Sequence, residues 1–168
     1  MSNIIIALLT IPLLAILQST LLPYFNFQSA VSLDLVMVIV LSWNLVYPNS
    51  ESMFWALLGG LMLDALSGAH MGTNIIALTM ASLIPNLVSS RIWSTHILLR
   101  IFVGITGTAI YYIVYFILLT TTGWQTKWSN LPTDKLVNSI MINVFVMILI
   151  LPSVRWIALR ITKRNIDI

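Results

Sequence analysis

The sequence predicts an all-α membrane protein, a bundle of six transmembrane helices, and three observations predict it. The 168 residues are 59% hydrophobic and only 8% charged, against about 25% charged in a soluble domain. Mean hydropathy is +0.99; a chain of this size cannot hide so much apolar surface from water, so lipid is its solvent. The apolar residues also fall into six runs, set apart by prolines, glycines and short polar segments. The length suits one domain, residues 1–168.

The first run, Ile4–Leu22, is closed by Pro23. It has no basic segment before it and no small-x-small cleavage site after it, so it reads as a retained span rather than a cleavable signal. The second runs from about Val31 to Tyr47 and is closed by Pro48; the third is Met53–Leu66. The fourth is Gly72–Val88 with Pro85 near its end, the fifth is Ile97–Leu119, and the sixth is Leu136–Leu159, with a kink expected at Pro152. Crossing a bilayer takes about 20 residues at about 1.5 Å each. Runs one, five and six meet that length. Runs two and three are short, each with an aspartate at one end, and a single re-entrant hairpin is the alternative reading of the pair.

Orientation follows from the basic residues. With both termini cytoplasmic, the inner segments hold Arg91, Arg100, Arg155, Arg160, Lys163 and Arg164, and the outer ones only Lys127 and Lys135. That bias obeys the positive-inside rule. The net charge of +3 and the pI near 9.5 therefore reflect the cytoplasmic flank of the last span, not a nucleic-acid site. The one long connection, Thr120–Asp134, carries Trp124 and Trp128, four residues apart; on a helix they share a face and read as aromatic-belt anchors, with a partner-docking site as the alternative. There is no cysteine, which excludes disulfides, thiolate metal sites and cysteine nucleophiles.

On this topology the polar groups gather toward the outer leaflet. Gln18 lies late in the first span and Asp34 early in the second; Asp64 lies late in the third and Asn74 early in the fourth, with His70 between them; Asn138 and Asn143 lie early in the sixth. The inner half is expected to hold almost nothing polar except flanking arginines. Two readings compete. The groups can hydrogen-bond one another and cap helix ends, at about 0.6 kcal/mol per bond in membrane proteins, or they can line an outward-facing cavity for a small solute.

Asp64 is the most informative position. A carboxylate at mid-membrane costs about 2.5–3.5 kcal/mol on insertion scales, and less near a helix end. Ala56, Gly60 and Asp64 are spaced four apart and share one helical face, where small residues allow a neighbouring helix close in. Asp64 thus points at protein rather than lipid. Gly68 and Gly72 permit a tight turn with positive φ, and a buried carboxylate can accept N–H bonds from that turn or from the start of the fourth span. Gly104 and Thr108 form a second close-packing face. Asp64, Gly60, Gly68, Gly72, Asn74, Asp34 and Gly104 are therefore the candidate structural or partner-binding residues.

Catalysis finds little support. His70 sits in a loop and His96 beside Arg91 and Arg100, at opposite membrane faces where they cannot share a metal. No phosphate-cradling loop or Gly-x-Ser-x-Gly elbow is present. Ser67, His70 and Asp64 lie too close in sequence for a separately scaffolded triad. No cofactor is expected.

Three stretches resemble the MreD family of rod-shape-determining membrane proteins. Gly60-Leu61-Met62-Leu63-Asp64-Ala65-Leu66-Ser67-Gly68 is similar to the family's Gly-x-x-Leu-Asp-Leu-x-Ser-Gly signature. Met71-Gly72-Thr73-Asn74 resembles the Leu-Gly that follows, and Ser32-Leu33-Asp34-Leu35, ahead of Trp43, resembles the Pro-Asp-Leu or Pro-Asn-Trp opening of the second span. Ser32 replaces the usual proline, and Ala65 stands where a bulky residue is common. The resemblance covers nearly the whole chain. It implies a non-catalytic subunit of the elongasome in the bacterial inner membrane. Such a subunit associates with the bitopic protein MreC, and through it with the MreB filament, the RodA glycosyltransferase and a class B penicillin-binding transpeptidase. It also implies a fold similar to the substrate-binding S-components of energy-coupling-factor vitamin transporters, the alternative identity. Those carry an Ala-x-x-x-Ala docking face on the first span, which here is incomplete: Ile11 follows Ala7 and Ser19 follows Ala15.

Overall fold

The computed structural model describes residues 2–21, 33–48, 50–68, 70–88, 97–122 and 133–164. All regular structure among them is α-helical: α1 Ser2–Leu21, α2 Leu35–Val46, α3 Ser50–Ser67, α4 Thr73–Val88, α5 Ile97–Thr121 and α6 Thr133–Arg164. Three stretches are long and apolar enough to cross a membrane, Ile4–Leu21, Ile97–Thr121 and Leu136–Arg160. The apolar stretches Leu35–Val46, Ser52–Ser67 and Thr73–Val88 are shorter. The 12 residues of α2 span about 18 Å, well short of a hydrocarbon core of about 30 Å.

The helices depart least from the apolar runs at α4, which begins one residue after Gly72, and most at α6, which exceeds Leu136–Leu159 at both ends. α5 begins at Ile97, as expected, and α1 covers the first run up to Leu21. α2 starts at Leu35, with Leu33 and Asp34 ahead of the helix. α4 starts at Thr73 because Gly72 adopts φ +100°, a value that ends or precedes a right-handed helix. α6 runs beyond its apolar core at both ends and continues through Pro152. Leu22, Pro23, Val31, Ser32, Arg91, His96, Trp124, Lys127 and Trp128 lie outside the described residues.

The short α2 is the centre of the fold. It packs against each of the other five helices, and nine of its residues, Val36 to Val38 and Val40 to Leu45, are buried. Around it α1 packs on α3, α3 on α4, α4 on α5 and α5 on α6. α2 can be apolar on every side because every side meets another helix. The outer surface is also apolar: Ile5, Leu8, Leu9 and Leu13 of α1 and Met141, Phe145 and Leu149 of α6 are exposed, as lipid-facing residues are.

Glycines set the helix spacings. A Cβ on Gly60 would lie 2.4 Å from the Ile75 Cα, so the α3 and α4 backbones touch there. A Cβ on Gly104 would meet the Val144 side chain of α6 at 2.9 Å, and one on Gly107 would meet Leu41 of α2 at 2.7 Å. The small-residue faces at Ala56/Gly60 and Gly104/Thr108 are thus filled by the chain's own helices. Trp43 and Trp55 stack with ring centroids 4.2 Å apart and join α2 to α3.

Candidate functional site

Asp64 sits on the last turn of α3, 3% exposed, and its carboxylate caps the start of α4. Oδ2 accepts from the Gly72 N–H at 2.8 Å and the Ile75 N–H at 3.3 Å. Oδ1 accepts from the Asn74 N–H at 2.8 Å and from the Asn74 Nδ2 at 2.9 Å. The first N–H groups of a helix have no intrahelical partner, and the positive end of its dipole favours an anion. One carboxylate answers both needs.

The turn that brings the helix start to the carboxylate depends on two glycines with φ +67° and +100°, Gly68 and Gly72. Thr73 steadies it by donating to the His70 carbonyl from both its N–H, 3.1 Å, and its Oγ1, 2.8 Å. The His70 side chain is exposed. Asn74, 3% exposed, extends the network: its Nδ2 also reaches the Ser67 Oγ at 3.3 Å, and its Oδ1 accepts from the Tyr111 hydroxyl of α5 at 2.7 Å. Three helices are tied together by one buried acid–amide–phenol chain.

Asp34 anchors a second cluster at the same end of the bundle. It precedes α2 but makes no side-chain cap to it. Its Oδ1 accepts from the Gln18 Nε2 of α1 at 3.2 Å, and its Oδ2 accepts from the Tyr112 hydroxyl of α5. The α2 start is capped by Gln18 instead, whose Oε1 accepts from the Val36 N–H at 3.0 Å. The Asp34 N–H donates to the Asn143 Oδ1 of α6 at 3.1 Å. Asn143 is 1% exposed, and its Nδ2 has no partner among the described residues. Tyr111 and Tyr112 meet edge to face, centroids 5.5 Å apart, and join the two clusters.

The structure thus brings Asp64, Asn74, Gly60, Gly68 and Gly72 into one assembly and places Asp34, with Gln18 and Asn143, in another. Gly104 belongs to neither; it serves the α5–α6 contact. The two tyrosines were not anticipated. Their signal was a Tyr-Tyr pair inside an otherwise apolar run, where a phenol retained in lipid needs an acceptor.

The opposite end is not as apolar as expected. Asn44 is fully buried on α2, with neither amide atom partnered among the described residues. The Ser52 Oγ of α3 donates to the Asn86 Oδ1 of α4 at 3.1 Å, and Ser82 is fully buried beside them, 3.5 Å from the Met53 Sδ. Serine and asparagine scattered singly through apolar runs give little sequence signal, yet antiparallel pairing of α3 and α4 makes neighbours of residues 34 positions apart.

No protein-family model, curated protein or solved structure matches this chain.

Proposed function

We propose that this protein is a non-catalytic, multipass membrane scaffold of the MreD type. In this reading all six helices traverse or fill the bilayer as one bundle, similar to an S-component, with both termini cytoplasmic in a bacterial inner membrane. The chain binds the membrane helix of an MreC-like bitopic protein. Through it the chain supports MreB, RodA and a class B penicillin-binding transpeptidase in peptidoglycan synthesis and rod shape.

The observation that carries the reading is the state of Asp64. The signature stretch from Gly60 to Gly68 is spent on building the bundle: its glycine admits α4, and its carboxylate takes four bonds from its own chain. A charge so consumed suits a structural part better than a reactive or solute-binding group. The small-residue faces suggested for a partner helix are internal, so the partner is assigned to the exposed apolar surface of the bundle. The S-component alternative draws on the second cluster, where the Asn143 Nδ2 is buried without a partner among the described residues and its Oδ1 holds the Asp34 N–H. Against it, Ala7, Ile11 and Ala15 are buried against the bundle, which leaves that face of α1 closed to a coupling subunit.

The test is a pull-down of the detergent-solubilised protein with mass spectrometry of its partners, paired with depletion in a rod-shaped host. Elongasome proteins and rounded cells are the expected result. An ATPase-driven coupling module, normal rods and lost vitamin uptake would replace the scaffold reading with the transporter one.

A further inference from the structure

α6 is longer than a membrane is thick. Its 32 residues measure about 48 Å, against about 30 Å of hydrocarbon. Its apolar stretch begins at Leu136, and about 20 residues from there bring the helix to Arg155. The next turns fall in the headgroup layer, which adds about 5–8 Å on each side.

This segment is held by the fold rather than trailing from it. Val154 and Ala158 are buried, while Trp156, Ile157 and Leu159 are exposed. Arg160 is exposed as well, and its guanidinium lies over the Trp156 ring, 3.8 Å from the centroid. A guanidinium held over an aromatic face can still present N–H donors to a bidentate oxyanion. Arg155, half-buried, lies one residue before the tryptophan. From Arg155 onward the sequence holds four basic residues and a single acid, Asp167.

We propose that this surface binds the headgroup of an anionic phospholipid. Arg160 contacts the phosphate with Arg155 adding charge at the same edge, Trp156 lies at the level of the ester carbonyls, and Leu149, two turns deeper and exposed on the same helical face, lies against the acyl chains. The pattern selects a lipid over an acidic peptide because Arg160 and Trp156 stand directly above an exposed apolar side chain, Leu149, on one face of α6 at the bilayer edge. Only a ligand with an anionic head directly above an apolar body satisfies both. The basic end also faces the cytoplasmic leaflet by the positive-inside rule, where anionic lipids make each nearby arginine worth about fivefold in association.

The full chain is reconstituted in phosphatidylcholine vesicles with a trace of spin-labelled phosphatidylglycerol or spin-labelled phosphatidylcholine, and the motionally restricted fraction of each is measured. The wild-type protein should restrict phosphatidylglycerol several-fold more, and the Arg155→Gln/Arg160→Gln pair should bring the ratio close to one. Arg160→Lys keeps the charge and should retain part of the preference. In parallel, brominated phosphatidylglycerol should quench wild-type fluorescence more than brominated phosphatidylcholine does, and the excess should vanish in Trp156→Phe. That arm decides the matter even if the double variant fails to fold. Equal restriction of both lipids by the wild-type protein would leave the charges to an acidic partner and overturn the proposal. So would a preference untouched by a folded double variant, or one abolished by inorganic phosphate at matched ionic strength, which would name free phosphate as the ligand.

Discussion

Asp64 accepts four hydrogen bonds, two on each oxygen, and this division ranks its substitutions. Asp64→Leu removes every acceptor, and each stranded donor costs about 1–3 kcal/mol. Asp64→Asn keeps one oxygen, hence two bonds at best, and turns an amide donor toward the donors of the other side. The asparagine variant should therefore be milder than the leucine one but clearly destabilised, by thermal unfolding in detergent. An asparagine variant as stable as the wild type would contradict the capping role. The glycines rank in the same way. A Cβ at Gly60 meets Ile75 backbone, which cannot yield, whereas one at Gly104 meets the end of the Val144 side chain, which can turn. A Cβ at Gly72 meets nothing, and its substitution is opposed only by φ, at about 1–2 kcal/mol. Gly60→Ala should lose the most folded protein on size exclusion, with Gly104→Ala and Gly72→Ala well behind. Equal losses would mean that backbone contact does not set the α3–α4 spacing.

At the scale of the element, the sequence was most legible where one physical demand ruled. A long apolar run can only be a buried or membrane helix, so α1, α5 and α6 were plain. The Ala56-Gly60-Asp64 face was plain too, because small residues at a spacing of four beside a lone carboxylate leave little else to form. α2 was harder. Its 12 residues are apolar on all sides, a pattern that fits a transverse span, a re-entrant arm or a central post, and only tertiary contacts decide that it is wrapped by five helices. The tyrosines were hidden for a related reason: which side chain meets Asn74 depends on the packing of α5, not on local pattern. Tyr111→Phe isolates that contact. It removes the donor 2.7 Å from the buried Asn74 Oδ1 and keeps the ring stacked near Tyr115. The expected loss is about 1 kcal/mol, and in a double variant with Asn74→Ala it should be smaller, since the pair shares one bond. Full additivity of the two losses would show that the phenol does not act through Asn74.

At the scale of the whole molecule, both carboxylate clusters lie at one end of the bundle and the basic C-terminal part of α6 at the other. A cluster built from Asp34, Gln18, Asn143 and Tyr112 closes α1, α2, α5 and α6 together, and the Asp64 network closes α3, α4 and α5. The proposed orientation, with the arginine-flanked end in the cytoplasm, rests on the positive-inside rule. The absence of cysteine makes this directly measurable, since any single introduced thiol is the only one to react. Cysteines in place of Ser29, Ala69 and Ser129 should be labelled by an impermeant maleimide added outside cells. Ser50→Cys and Ser94→Cys should react only after the membrane is opened. Ala69 lies between the glycines of the turn that Asp64 holds, so its labelling also reports which side of the membrane the capped end of α4 faces. Labelling of Ser94→Cys from outside would invert the orientation and place the Trp156–Arg160 surface in the wrong leaflet for both the scaffold and the lipid site. Protection of Ala69→Cys, with Ser29→Cys and Ser129→Cys reactive, would instead bury the turn within the bilayer and mark α3 and α4 as a re-entrant pair.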